Sequence, residues 1–323
     1  MDKLDLKLIS ELENNARQTL SQIAKKIKTS QQVISYRIKS LEERKIITEY
    51  YTIINFTNLN YTSYRTMIRL SNINEEKHKE IIDYLIKCDN VLWLVECGGR
   101  WDLIVNFIAK NIIQYNNSLK KFKNKFPQQI QNYDVLATLE VVQFGKDYFI
   151  KKEREVKHLP SFGGEHKVID IDKTNLQILN LISENARMSS VEISQKLKIS
   201  PNTIILRIKE MKKLGIIQSF KPLIHLENTS YHGYKALVKF QNITETKERE
   251  IINYLKSEVN IVGIIKLIGL WDFEIEFEVK SKEEMLELTR SFRDRFKKVI
   301  KDFEVVPLFH EYKYNFFPRD LLK

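Results

Sequence analysis

Apolar residues recur at helical spacing through the first fifty positions: Leu6, Ile9 and Leu12, then Leu20, Ile23 and Ile27, then Ile34, Ile38 and Leu41. The spacing predicts three short helices. The second ends at Lys28-Thr29, and Ser30 is placed to cap the third by accepting a backbone N–H, which makes a tight helix-turn-helix. From residue 47 the pattern turns to alternation, predicting a strand over 47–56 that offers a wing. Beyond it the texture predicts a strand (64–70), a helix (75–87), strands (91–97 and 103–109), a helix (112–126) and a strand (133–142). That βαββαβ order is ferredoxin-like, an antiparallel sheet with both helices on one face. Its other face needs cover, commonly a second such sheet.

The same pattern then returns. Asn15-Ala16-Arg17 reappears as Asn185-Ala186-Arg187, an offset of 170 residues that carries Arg37-Ile38-Lys39 onto Arg207-Ile208-Lys209 and Trp101-Asp102 onto Trp271-Asp272. Phe122, Phe126 and Ile130 meet Phe292, Phe296 and Ile300 in the same register. A duplication that keeps its core while its surface drifts leaves this signature. The expected fold class is therefore α+β: two repeats, each a winged helix-turn-helix head followed by a ferredoxin-like βαββαβ body. The expected boundaries are 1–56 and 57–146 for the first head and body, 147–169 for a linker, and 170–226 and 227–323 for the second pair. The linker's charged first half reads as a helical extension, and Pro160-Ser161-Phe162-Gly163-Gly164 as turns.

Composition narrows the class. The 323 residues suffice for several domains, and 43% hydrophobic and 29% charged residues describe an ordered, soluble chain. Cys88 and Cys97 sit near each other without a Cys or His cluster at ligand spacing, so neither a disulfide framework nor a metal site is expected, and a reducing, cytoplasmic setting fits. The opening Met1-Asp2-Lys3-Leu4-Asp5 does not resemble a signal peptide, and the most apolar run, 261–271, is too short to span a membrane. The net charge of +11 and pI near 9.3 favour a polyanion as partner.

Both heads share this bias, with 10 basic against 7 acidic residues in 1–50 and 8 against 4 in 171–220. With Ile34, Ile38 and Leu41 turned inward, the third helix shows Gln31, Gln32, Tyr36 and Lys39 outward, with Arg37 on its flank. Gln pairs bidentately with adenine, Arg with guanine or phosphate, and a helix start capped by Ser30 offers N–H groups to a phosphate. Lys25 and Lys26 add phosphate contacts from the second helix. In the second head the corresponding set is Ser200, Asn202, Thr203, Arg207 and Lys209, while Ile205 and Leu206 replace Ser35 and Tyr36. Leu206 there suits either a thymine methyl or a protein surface, and helix-turn-helix shapes also serve as packing modules.

The bodies differ in charge. Arg65, Met67 and Arg69 alternate on one open face, and Glu274, Glu276 and Glu278 on the other, so these faces are expected to meet within one chain. The alternative pairs the glutamates with Lys239 and Lys266 in their own sheet or leaves them solvated.

At this point the residues resemble the Lrp/AsnC transcription regulators. The resemblance lies in Asp5-Leu6-Lys7-Leu8-Ile9, Leu20-Ser21-Gln22-Ile23-Ala24, Arg37-Ile38-Lys39-Ser40-Leu41-Glu42 and Arg207-Ile208-Lys209-Glu210-Met211, and in the Gly-x-Trp-Asp turns at Gly99, Trp101, Asp102 and Gly269, Trp271, Asp272. It implies heads that bind double-stranded DNA, bodies that pair sheet to sheet, and an amino acid or other small-molecule effector near those turns. A plain hairpin with Trp in the core is the other reading of the turns. The family usually places one unit per chain, so the duplication implies an internal pseudo-dimer, with sheet edges left for higher homo-oligomers. The family also tends to place Gly after the third helix, as at Gly215; Lys45 in the first copy implies a different helix ending.

The expected function is a sequence-specific transcription regulator with no enzymatic activity, no catalytic residues and no cofactor. Two alternatives stand beside it. One is a sirohaem-decarboxylase-like enzyme, since those enzymes resemble this family too, although His232 is the one histidine in the relevant segment. The other is a ligand sensor acting through protein partners.

Overall fold

The computed structural model describes residues 1–150, 159–164 and 167–322. The first head comprises α1 (Lys3–Asn14), α2 (Leu20–Ile27), α3 (Gln31–Glu43) and β1 (Ile47–Ile54). Each helix has a built start: Asp2 and Thr19 form capping boxes with Asp5 and Gln22, and the Ser30 hydroxyl accepts from the Val33 N–H. Lys28 closes α2 in the left-handed conformation at φ 62°, which bends the chain straight into α3.

The first body follows with β2 (Thr62–Leu70), α4 (Glu75–Lys87), β3 (Val91–Cys97), β4 (Leu103–Ala109), α5 (Ile112–Lys125) and β5 (Ile130–Gln143). The expected order and most of the expected bounds are observed. The second copy repeats it: α6 (Lys173–Glu184), α7 (Ser190–Leu197), α8 (Pro201–Lys213) and β7 (Ile217–Ile224) form the head. Its body contains β8 (His232–Phe240), α9 (Glu245–Ser257), β9 (Ile261–Ile268), β10 (Phe273–Val279), α10 (Lys282–Phe296) and β11 (Ile300–Tyr314). Each pair of body helices buries an aromatic stripe on its own sheet, Tyr115 and Phe122 in one and Phe292 and Phe296 in the other.

Three expectations are corrected here. First, the open faces are not simply stacked. β5 pairs with β2 through its first half and with β9 through its second, and β11 likewise serves β8 and then β3. The strands run β2-β4-β3-β11-β8-β10-β9-β5 and return to β2, so eight antiparallel strands from both copies close into a barrel. The edges of the two body sheets are thereby paired with each other. Second, the stretch read as turns contains β6 (Ser161–Gly163), which pairs with β5 and places Phe162 opposite Val141. The helical extension expected for the linker falls largely on 151–158, outside the described residues. Third, Lys45 makes the same left-handed helix ending as Gly215, with φ of 53° and 72°. The turn geometry wins over the side chain because Ile46 and Ile47 beyond it must both be buried.

The wing strands pair with each other. β1 and β7 form an antiparallel ribbon that joins the two heads, with Tyr51 opposite Lys221 and Thr52 opposite Phe220. Each first helix packs on the other copy's ribbon strand, α1 on β7 and α6 on β1. One apolar core therefore runs without a break from the heads into the barrel, from Ile9 and Ile182 to Met67, Val95 and Leu237.

Candidate functional site

The heads present two recognition helices, α3 and α8. Gln31, Gln32, Tyr36 and Lys39 lie on the exposed face of α3, Tyr36 with 72% of its surface free, and Lys25 is exposed on α2. Lys26 is also exposed but is held 2.9 Å from Glu11. In the second head Asn202 and Lys209 are exposed and Thr203 is half-buried, beside Ile205 and Leu206 at 53% and 65% exposure. Ser30 and Ser200 cap the two helices, as their positions predict.

Arg37 and Arg207, expected on the flank of the third helix, make ion pairs within their own heads. Arg37 Nη1 lies 2.5 Å from Asp2 and 2.9 Å from Asp5, and Arg207 Nη1 lies 2.6 Å from Asp172 and 3.0 Å from Asn175. Both guanidiniums tie the third helix of a head to the start of its first helix. The same pairing holds the Asp172 carboxyl below its ordinary range, with Arg207 as the largest cause, and raises Arg37. Sequence spacing placed these arginines on the flank of the helix but could not show that an aspartate from another helix meets each one.

The Gly-x-Trp-Asp turns are built as structural locks. Asp102 accepts from the Leu70 N–H at 2.7 Å and Asp272 from the Phe240 N–H at 2.8 Å, pinning each turn to the end of a neighbouring strand. Trp101 and Trp271 are buried, and Gly99 and Gly269 supply φ of 89° and 145°. The turn at Gly269 lies against Leu136 and the Val135 carbonyl of the other copy.

A large concavity lies at the other end of the barrel, where β3 and β8 begin and β10 ends. It measures about 500 Å³ and touches none of the six turn residues. Its floor is the barrel interior and its wall is the head ribbon, contributed by Tyr51 and by residues 221–226. Inside it, Lys221 lies 3.3 Å from Glu13 and donates to the Phe144 carbonyl at 2.8 Å. Lys146 and the Tyr148 hydroxyl both bind Glu278, and Trp93 Nε1 donates to Glu311. Beneath, the fully buried Lys235 bridges Glu274 and Glu276, while Arg65 Nη1 approaches Glu274 at 3.4 Å. The expected contact between a basic face and an acidic one thus exists at Arg65 and Glu274, but the main counter-ion is Lys235 from the glutamates' own sheet. Lys239 and Lys266 pair elsewhere, with Asp272 and with Glu140 and Glu248.

Burial opposes charge on these groups, and neighbours decide the outcome. Lys235 and Arg65 hold the Glu276 carboxyl below its ordinary range despite its burial. Burial pushes Glu311 up, and the nearby Glu276 adds to it. His225, His232 and His310 all line this cavity, with His310 Nδ1 2.7 Å from Glu227. Their separation along the chain hid this grouping from the sequence. Among the described residues no cluster of His, Cys, Asp and Glu is placed to hold a metal ion, and no helix is long and apolar enough to cross a membrane.

Two heads carrying a capped recognition helix, set on paired ferredoxin-like bodies, define a winged helix-turn-helix regulator. Residues 1–42 match the AsnC-type helix-turn-helix domain, and residues 171–218 match a winged helix-turn-helix DNA-binding model. The HTH-type transcriptional regulator Ptr1 of Methanocaldococcus jannaschii is 30% identical over 122 residues, 38% of this chain and 78% of that protein. An uncharacterized HTH-type transcriptional regulator of Pyrococcus furiosus is 32% identical over 120 residues, 36% of this chain and 78% of the relative. The chain belongs to the Lrp/AsnC family of transcriptional regulators, with the family's unit present twice.

Along its whole length the chain also resembles the crystal structure of the siroheme decarboxylase NirDL, with a TM-score of 0.62 and 12% identity over 98% of this chain and 96% of that one. This overturns the expectation of no enzymatic activity: the same duplicated architecture carries an enzyme, so nothing in the fold excludes catalysis.

Proposed function

We propose that the protein is a sequence-specific DNA-binding regulator whose two heads, fixed by an internal pseudo-dimer, read one imperfectly palindromic site. The division into heads 1–56 and 170–226 and bodies 57–146 and 227–323 belongs to this reading. The observation that carries it is the pair of capped helices α3 and α8 with exposed polar faces, tied through one ribbon and so held at a constant spacing. Heads of this kind engage successive major-groove faces about 34 Å apart. Gln31, Gln32, Tyr36, Lys39, Asn202, Thr203 and Lys209 are the reading residues; Lys25, Lys26 and the helix starts at Ser30 and Ser200 serve phosphates. Unequal reading sets account for the imperfect palindrome.

An amino acid or other small molecule modulates binding in this reading. The cavity is the better place for it than the two turns, because it is walled by the head ribbon and floored by the barrel. A ligand there touches both parts, which is what differential binding to two head arrangements requires. Fluorescence anisotropy on DNA from upstream of the protein's own gene, against scrambled DNA across a salt series, tests the regulator. Preference for the upstream DNA with a steep salt slope supports it, and no binding overturns it.

A second reading, a sirohaem-processing enzyme, is favoured by the whole-length likeness to NirDL and by three histidines lining one cavity. Visible absorbance after adding sirohaem decides it: an unperturbed spectrum removes this reading.

A further inference from the structure

The duplication supplies an internal control for the cavity. At the offset of 170 residues, Glu278, Glu276 and Glu274 correspond to Ile108, Asn106 and Ile104, Glu311 to Val141 and Lys146 to Phe316. The equivalent end of the barrel is therefore lined mainly by apolar and aromatic residues, and Asn106, the polar one of this set, accepts from the Ser63 hydroxyl. It is also plugged. Phe162, brought in by β6, packs tilted against Phe56 at 5.1 Å and edge-on against Phe316 at 5.5 Å, and Ile108, Val141, Phe162 and Phe316 are all buried. One end has become packed core while the other keeps charges around open space.

Stability does not explain this difference. Replacing buried ion pairs by apolar residues of similar volume is commonly neutral or stabilising, and the filled end shows that this fold accepts the replacement. The charged end even retains polar atoms without a hydrogen-bond partner among the described residues, Glu274 Oε2 and Arg65 Nε, in its interior. Charges kept at such a cost fit a ligand.

The charge count then selects the ligand. Around the cavity and directly beneath it stand the carboxylates Glu13, Glu274, Glu276, Glu278 and Glu311 and the cations Arg65, Lys146, Lys221 and Lys235. Lys221 answers Glu13, Lys146 answers Glu278, and Lys235 with Arg65 answers Glu276 and Glu274. Glu311 receives the Trp93 indole N–H, and among the described residues no ammonium or guanidinium lies within ion-pair distance of it. Glu227 at the mouth adds a further carboxylate. Aromatic walls at Tyr51, Trp93 and Tyr314 suit a cation's alkyl stem and charge.

We propose that this cavity is a ligand site present once per chain and that it takes a small organic cation, an amine or guanidine, with Glu311 as its counter-ion. The proposal rests on the reading above that a small molecule binds there, and it fixes the sign of that molecule's charge.

Isothermal titration of the full chain with agmatine and cadaverine, against 1,5-pentanediol and glutarate as neutral and anionic controls, tests it directly. One equivalent of either amine binds, the controls do not, and Glu311→Gln weakens binding at least about tenfold. That variant keeps the acceptor for Trp93, and its circular dichroism and melting verify folding; Glu276→Gln replaces it if folding is lost. Silence of both amines up to about 10 mM, tighter binding of glutarate, or binding insensitive to the substitution each overturns the proposal. The readout needs no DNA, so its failure is separate from failure of the DNA experiment.

Discussion

Arg17 and Arg187 reach across the two repeats in opposite directions: Arg17 Nη1 donates to the Ala186 carbonyl and Arg187 Nη1 to the Ala16 carbonyl, each at 2.6 Å. Each guanidinium also covers a ring of the ribbon, Phe220 for Arg17 and Tyr50 for Arg187. The triplet that reveals the duplication in sequence is thus the one that clasps its two heads. The Ala16 and Ala186 N–H groups complete the clasp by donating to the Phe220 and Tyr50 carbonyls. Arg17→Ala or Arg187→Ala is expected to cost about 1.5 to 3 kcal/mol, the range for hydrogen bonds made by charged groups. Urea unfolding measures this, and an unchanged midpoint in both variants would show that the clasp is unimportant.

Arg37 and the exposed face of α3 are expected to separate cleanly. Arg37→Ala removes the staple to Asp2 and Asp5, so it lowers the stability of the first head. Lys39→Ala and Lys25→Ala leave melting unchanged but reduce the salt slope of DNA binding by roughly 1 each. Gln31→Ala and Tyr36→Ala weaken preference for the upstream sequence without changing that slope. Anisotropy and thermal melting on the same preparations check all of these, and an Arg37→Ala variant that melts normally would return Arg37 to the groove.

Acid is expected to loosen the heads at the same staples. The Asp5 N–H and Arg37 lower the Asp2 carboxyl, and Arg207 and the Asn175 N–H lower that of Asp172, both from the ordinary 3.8. A carboxyl depressed in the folded state contributes stability that is complete above its unfolded pKa and is lost as pH falls through the folded one. The contribution therefore persists at neutral pH and disappears only below the usual carboxylate range. Melting followed by circular dichroism at pH about 5 and about 3 should show a smaller acid loss for the Asp2→Asn, Asp172→Asn double variant than for the parent. Equal losses would place the acid sensitivity elsewhere.

Local chemistry was legible and distant pairing was not. The bounds of α4, β3 and β4 agree with the sequence pattern because apolar period and flanking caps are properties of adjacent residues. The alternation of Glu274, Glu276 and Glu278 announced an inward acidic face. Nothing local, however, announced that β5 and β11 are long enough to serve two sheets each and close a barrel. The cavity escaped for the same reason: Glu13, Lys146, Lys221 and Glu311 come from four separate stretches. Phe162 looked like linker because Gly163 and Gly164 follow it, yet Gly163 at φ 91° is what lets the strand run tight against the Leu139 carbonyl.

Lys45 holds a left-handed conformation that its counterpart Gly215 adopts freely. For a residue with a Cβ this costs about 1 to 2 kcal/mol, offset by the roughly 0.5 to 1 kcal/mol of extra chain entropy that glycine loses on folding. Lys45→Gly is expected to stabilise the first head by about 0.5 kcal/mol, and Gly215→Ala to destabilise the second by about as much. Space is not the issue at Gly215, where an added Cβ would come no nearer than 3.6 Å to Gln218 Nε2. Opposite signs in the two urea midpoints are the result that checks the argument; a loss in both variants would refute it.

Lys235 is the test of how the barrel tolerates charge. It is fully buried and bridges Glu274 and Glu276, so Lys235→Met leaves Glu276 without its cation and Glu274 with Arg65 alone. Removing one partner of a buried pair costs about 3 to 5 kcal/mol, because the remaining charge cannot regain water. Lys235→Met combined with Glu276→Leu removes both charges and leaves the Arg65–Glu274 pair in place. The double variant is therefore expected to recover most of the loss, because apolar residues of similar volume commonly replace a buried ion pair without loss. Chemical unfolding of the two variants decides between this account and one in which the ion cluster itself holds the barrel closed: in the second case the double variant is no more stable than the single one.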